Sequence, residues 1–118
     1  MIKFKSLNKS SQFLSILKKR KLDTKYFTLF FDKNNSDKKN NKILNISFVM
    51  KKKIGNAVIR NKVKRKLKYA VQKILNNKQI DMNCTYVIFG KNNVYKDKFD
   101  LVLNEMNNTL LKVKKINN

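Results

Sequence analysis

Residues 51–68 read Lys-Lys-Lys-Ile-Gly-Asn-Ala-Val-Ile-Arg-Asn-Lys-Val-Lys-Arg-Lys-Leu-Lys, inside a stretch with no acidic side chain between Asp37 and Asp81. Apolar residues nevertheless recur here and just beyond at helical spacing: Ile59, Val63, Leu67, Ala70 and Ile74. That stripe predicts a helix with one face in a core. The cations then ride on an anchored helix, and their positions are fixed relative to one another. At about 100° per residue, Asn61, Arg65 and Lys68 fall within roughly 60° of each other, away from the stripe. Arg60 and Lys64 flank them. Asn56, after Gly55, is a suitable N-cap, and Asn76 with Asn77 closes the helix.

A helix of this kind has to face something anionic. Across 118 residues, 29 Lys+Arg stand against 7 Asp+Glu, a formal charge of +22. Self-repulsion on that scale is relieved by a partner carrying phosphates. A hydrophobic fraction of 42% is enough for one core, so residues 1–118 read as a single RNA-binding domain. No apolar run approaches the roughly 20 residues that span a bilayer, and no membrane partner is expected. A single cysteine, Cys84, excludes an internal disulfide and fits a reducing, cytoplasmic setting. Beside the apolar residues 86–89 it reads as a small buried hydrophobe.

Catalytic chemistry is poorly supplied. With no histidine, imidazole acid–base or ligand chemistry is impossible. The acids are scattered, whereas a protein-borne two-metal nuclease needs converging carboxylates. Asp97 and Asp100 alone lie close, and their place near a helix start suits the helix dipole. The sequence therefore predicts no catalytic and no metal-binding residue.

Residues 1–8 are basic and expected to be flexible; their acid-poor character could also suggest a transit peptide. A first helix from a serine cap at Ser10 or Ser11 to about Lys19 is the better reading. The aromatic run 26–31 and the alternating run 43–51 predict strands, separated by a polar loop over 32–41. Ile46, Phe48 and Met50 share the core face of the second. In the first, Phe27, Leu29 and Phe31 form one set and Tyr26, Thr28 and Phe30 the other. A further strand over 85–89 ends at Gly90. Phe99, Leu103, Met106, Leu110 and Val113 mark a last helix over about 98–113.

The run from Gly55 to Lys68, with Lys52-Lys53-Ile54 before it, resembles the signature of the bacterial ribonuclease P protein subunit. Arg60-Asn61 and Lys64-Arg65 match that signature, while Lys68 stands where arginine is usual. The resemblance extends from Phe13 to the last helix. It implies an α+β fold, a two-layer α/β sandwich of order αβββαβα, with the basic helix in a left-handed crossover. It also implies a partner protein in a ribonucleoprotein endoribonuclease: a catalytic RNA removes the 5′ leader of precursor tRNA, with magnesium held mainly by RNA.

Two surfaces follow from the resemblance. Lys52, Lys53, Arg60, Asn61, Lys64, Arg65 and Lys68 would face the catalytic RNA. Phe13, Leu17, Phe30, Ser47 and Val49 would line a cleft for the single-stranded leader, with Leu17 where an aromatic is common. The same match turns Phe27, Leu29 and Phe31 inward and Phe30 outward. Lys62, Lys66 and Lys73 read as solvated charges. Size and charge alone would fit a ribosomal protein with a structural role, but the Arg-Asn/Lys-Arg order does not. A helix-turn-helix DNA binder is disfavoured by the strands flanking the basic helix.

Overall fold

The structure, a computed structural model, describes residues 2–33, 42–76 and 80–117. Its elements are β1 (Lys3–Lys5), α1 (Ser10–Ile16), β2 (Arg20–Asp23), β3 (Phe27–Lys33), β4 (Ile43–Val49), a 3-10 turn (Lys52–Ile54), α2 (Ala57–Leu75), β5 (Cys84–Gly90), α3 (Asn93–Lys96) and α4 (Phe99–Asn117). The fold is α+β. One mixed five-stranded sheet has the order β1-β4-β5-β3-β2. Without β1 and the single turn α3, the order is the expected αβββαβα. Since β4 and β5 are parallel neighbours, the chain must leave the sheet between them, and α2 lies in that crossover.

The basic helix forms as its sequence dictates. Asn56 Oδ1 accepts the Ile59 N–H at 3.0 Å, satisfying one orphan donor of the first turn. Gly55 sits at φ +153°, a backbone region that side chains avoid. Val63, Leu67, Ala70 and Ile74 are buried as the stripe requires, Val71 joins them, and Ile59 packs half-buried at the margin. Asn76 caps the end, and Asn77 lies outside the described residues.

Helix α2 packs with α4 against one face of the sheet. Phe27, Leu29 and Phe31 of β3 are buried there with Leu44 and Ile46 of β4. Phe48 and Met50, expected beside Ile46, are only partly covered. In α4 the buried set is Val102, Met106, Thr109, Leu110 and Val113, with Phe99 and Leu103 at its edge. Thr109 is tolerated because its hydroxyl donates to the Glu105 carbonyl at 2.8 Å.

Gly90 lies where α2 packs closely on the sheet. A Cβ there would lie 2.6 Å from Met50 Sδ, 2.9 Å from Val63 Cγ1 and 3.0 Å from Leu67 Cδ1. Gly90→Ala is therefore expected to destabilise the protein by about 1–3 kcal/mol through overpacking. A lower urea midpoint with an unchanged m value would show it; an unshifted midpoint would mean the helix gives way freely.

Several local expectations are corrected. Residues 1–8, expected to be flexible, include β1, which pairs in parallel with β4. Lys3 N–H donates to the Lys42 carbonyl at 2.8 Å, and the Phe4 ring meets Phe48 at 6.2 Å. The edge of β4 and one aromatic contact hold a strand too short to show a period. Helix α1 starts after Lys9, with no side-chain cap, and stops at Ile16 rather than Lys19. Lys18 and Lys19 donate to the carbonyls of Ser15 and Ile16, so the chain tightens into three-residue turns there. Strand β3 continues through Asp32 and Lys33, expected to be loop; residues 34–41 of that loop lie outside the described residues. Strand β2, absent from the reading of the residues alone, pairs antiparallel with β3 at the sheet edge. Its exposed Arg20 and Lys21 discourage further pairing.

Candidate nucleic-acid interface

The outward face of α2 presents Asn61, Lys64, Arg65 and Lys68 to solvent, with Lys52 and Lys53 exposed on the 3-10 turn just before it. That turn is fastened from the far side: Asn92 Nδ2 donates to the Ile54 carbonyl at 3.0 Å. The two groups of cations are therefore held together by tertiary structure. Arg60 is half-buried, and its Nε is closed to solvent with no hydrogen-bond partner among the described residues.

Of the three lysines read as solvated charges, Lys66 departs from that reading. Half-buried Lys66 donates to the carbonyls of Val94 at 3.0 Å and Asp97 at 3.2 Å, closing the C-terminal end of α3. Exposed Lys62 stands over the Tyr95 ring at 5.8 Å, and Lys73 over Tyr69 at 5.3 Å and Phe99 at 5.8 Å. Helical spacing cannot reveal Lys66, because its acceptors come from residues about thirty positions away.

Across the sheet from α2 and α4 lies the second candidate surface. Strand alternation turns Phe30, Val87 and Phe89 to this face, where α1 covers part of the sheet; Ile16 and Val87 are both buried. Phe13 meets Phe89 edge-on at 6.1 Å and 65°, and Phe89 meets Phe30 edge-on at 5.5 Å and 77°. Three rings thus form a continuous row.

Hollows open on both sides of that row. One, of about 320 Å³, is lined by Phe4, Leu7, Phe13, Ser47 and Val49, with Lys64 and Lys68 of α2 at its rim. The other, of about 340 Å³, is lined by Leu17, Thr28, Phe30 and Phe89, with Lys21, Lys51, Lys53 and Lys91 around it. All five residues expected in a leader cleft thus line one face of the sheet, divided between two hollows.

Two features of this face escape the sequence reading. Phe89 is the centre of the aromatic row, and Lys51 Nζ stands 5.3 Å from its ring centroid. Alternation along β5, with Tyr86 and Ile88 inward, was the signal that could have found it. Ser47 is buried, and its Oγ accepts the Leu7 N–H at 2.9 Å. It therefore anchors the N-terminal segment across β4 as well as lining the hollow.

Three of the acids are committed to structure. Asp23 accepts from Lys91 at 2.7 Å and from Thr28 at 2.6 Å, and these bonds hold its carboxyl below the usual range. Asp97, expected to complement a helix dipole, accepts from the Tyr26 hydroxyl at 2.7 Å and pairs with Lys25 at 3.2 Å. The Tyr26 bond, then Lys25, hold it low. Asp81 accepts from Asn117 at 3.0 Å, binding the end of α4 to the start of β5. Cys84 is buried beside it, and burial, with the nearby Asp81 charge, pushes the thiol up to about 12. A thiol so rarely ionised is no nucleophile. No three potential metal-ligating side chains cluster among the described residues.

Fold and surface together define a class: a small basic α+β protein with an open face of cations and aromatics suited to a polyanion with unstacked bases. The chain belongs to the ribonuclease P protein family, whose family model matches residues 1–114. The ribonuclease P protein component of Carboxydothermus hydrogenoformans is 28% identical over 107 residues, 90% of this chain and 88% of that protein. The ribonuclease P protein from Thermotoga maritima superposes with a TM-score of 0.73 at 24% identity, over 92% of this chain and 96% of that one. The protein from Staphylococcus aureus gives 0.71 at 21% identity, over 96% and 97%. The fold is thus that of ribonuclease P proteins. No helix among the described residues is long and apolar enough to cross a membrane.

Proposed function

We propose that the chain acts as the protein component of a ribonuclease P ribonucleoprotein, with its two surfaces meeting two RNAs. The α2 face and the 52–53 turn bind the catalytic RNA. The aromatic row and its hollows take the single-stranded 5′ leader of precursor tRNA. Cleavage belongs to the RNA, with magnesium held mainly there. The observation that carries this reading is the shared boundary of the two surfaces. Lys64 and Lys68 stand on α2 and also rim the hollow that contains Phe13 and Val49. A leader in that hollow would lie directly against the helix that holds the catalytic RNA.

Residue chemistry supports the division. Arg65 can offer two parallel donors to a phosphate, whereas Lys68 is a point charge. Lys68 Nζ lies 5.9 Å from the Phe4 ring centroid, so its ammonium is already placed at the groove. Leu17 removes one stacking ring from the wall of the second hollow, but Phe89 supplies one between the two hollows.

Arg65→Ala is expected to weaken association with the catalytic RNA more than Lys73→Ala, because Lys73 stands by Tyr69 and Phe99 on another side of α2. Losing one phosphate contact should also make the log–log salt slope shallower by about 0.7–0.9. Titrating both variants against the catalytic RNA across a salt series tests this. Equal losses would reduce the helix to an unspecific patch of charge.

A further inference from the structure

We propose that a polar hollow beyond the aromatic groove is a further subsite for the leader, taking an unpaired nucleotide upstream of those at the aromatic row and preferring guanine. This rests on the leader reading above. The hollow measures about 620 Å³, nearly twice its 320 Å³ neighbour. Ser6 and Leu7 form a wall common to both. Leu7 is fixed in that wall by its bond to Ser47. No α2 residue lines the polar hollow, whereas Lys64 and Lys68 rim the aromatic one. A strand that starts beside α2 therefore reaches the polar hollow last.

The lining also changes character. Lys5, Lys9 and Lys33 bring positive charge, Gln12 and Asn45 bring amides, and Asp32 brings one carboxylate. The lysines suit phosphates. A carboxylate repels them, so it needs a different use in an RNA groove. Asp32 is half-buried and forms no ion pair among the described residues, although three lysines line the same hollow.

An ionised carboxylate accepts hydrogen bonds through two oxygens and donates none. An unpaired base exposes its Watson–Crick edge, and only guanine places two donors, N1–H and the N2 amino group, side by side on that edge. Uracil sets one donor between two carbonyls, which the carboxylate repels. Adenine and cytosine each set their amine beside an acceptor nitrogen. Asp32 thus matches guanine in both number and spacing of donors.

The test uses reconstituted holoenzyme and precursor tRNAs whose leaders are shortened one nucleotide at a time. Wild type should lose affinity at one length beyond that needed to fill the hollow at Phe13 and Val49, and only there should Gln12→Ala/Asn45→Ala weaken binding. At that upstream position guanine should bind better than uracil by roughly fivefold or more, the scale of one good bidentate contact. Asp32→Asn, with its urea midpoint unchanged, should abolish that preference.

Three results would overturn the subsite: no length dependence beyond the aromatic groove, a guanine preference that survives Asp32→Asn, or equal losses for mature tRNA from the hollow variants. The last would assign the hollow to the catalytic RNA. A Phe30→Ala variant run in parallel keeps the two readings apart. If Phe30→Ala weakens precursor binding while leader extension has no effect, only the subsite fails.

Discussion

RNA-free protein is expected to leave precursor tRNA intact at every magnesium concentration, while the same preparation combined with a bacterial catalytic RNA cleaves it. The expected difference is all-or-none. Hydrolysis of a phosphodiester at neutral pH needs a base or metal to generate the nucleophile and charge to stabilise the leaving oxygen. The chain has no histidine. Asp23, Asp81 and Asp97 are each bound to neighbours that use them structurally. Burial holds the only thiol up to about 12. Lysines and arginines can stabilise charge but cannot together supply the missing base. Magnesium-dependent cleavage that co-purifies with the protein and survives removal of RNA would overturn this.

The second large effect concerns the groove. Phe30→Ala is expected to cost ~1–3 kcal/mol in binding precursor tRNA, about 5- to 150-fold in Kd, if the ring stacks on a leader base. Phe30 turns away from the core, since Leu29 and Phe31 on either side of it are buried. Its ring is oriented by the edge-on contact with Phe89, so little freedom is lost when a base arrives. Its removal leaves Phe27, Leu29 and Phe31 in place, so the sheet should still form. Association with the catalytic RNA should hardly change, because no α2 residue lines the hollow that contains Phe30, and of the residues assigned to that RNA only Lys53 borders it.

How much of this was legible in the residues depends on the range of the forces involved. Helix α2 was readable almost to its ends because its signals are local: an Asn cap, a glycine before it and apolar residues at helical spacing. The parity of β3 was left open by its residues, both faces being apolar, and was chosen by the family resemblance; Phe27, Leu29 and Phe31 are buried accordingly. Strands β1 and β2 were not. Three and four residues carry too little pattern, and the hydrogen bonds that make them strands come from β4 and β3. Lys66 was misread for a similar reason, its acceptors lying at the end of α3, about thirty positions away.

The candidate site divides in the same way. Phe13, Leu17, Phe30, Ser47 and Val49 were named through the family resemblance, and they line one face of the sheet. Phe89 was missed although strand alternation pointed to it, because it appeared simply as the end of an apolar run. Ser47 was placed on the right face, but its bond to Leu7 depends on where the N-terminal segment crosses β4.

The most direct test of a leader groove compares holoenzyme affinity for precursor and mature tRNA, in wild type and in Phe30→Ala. Mature tRNA has no leader and so cannot reach the aromatic row. A loss of roughly 5- to 150-fold for precursor, with mature tRNA unchanged, is the expected result. Equal losses for both RNAs, or an unfolded variant, would return Phe30 to the core and leave the leader without its site.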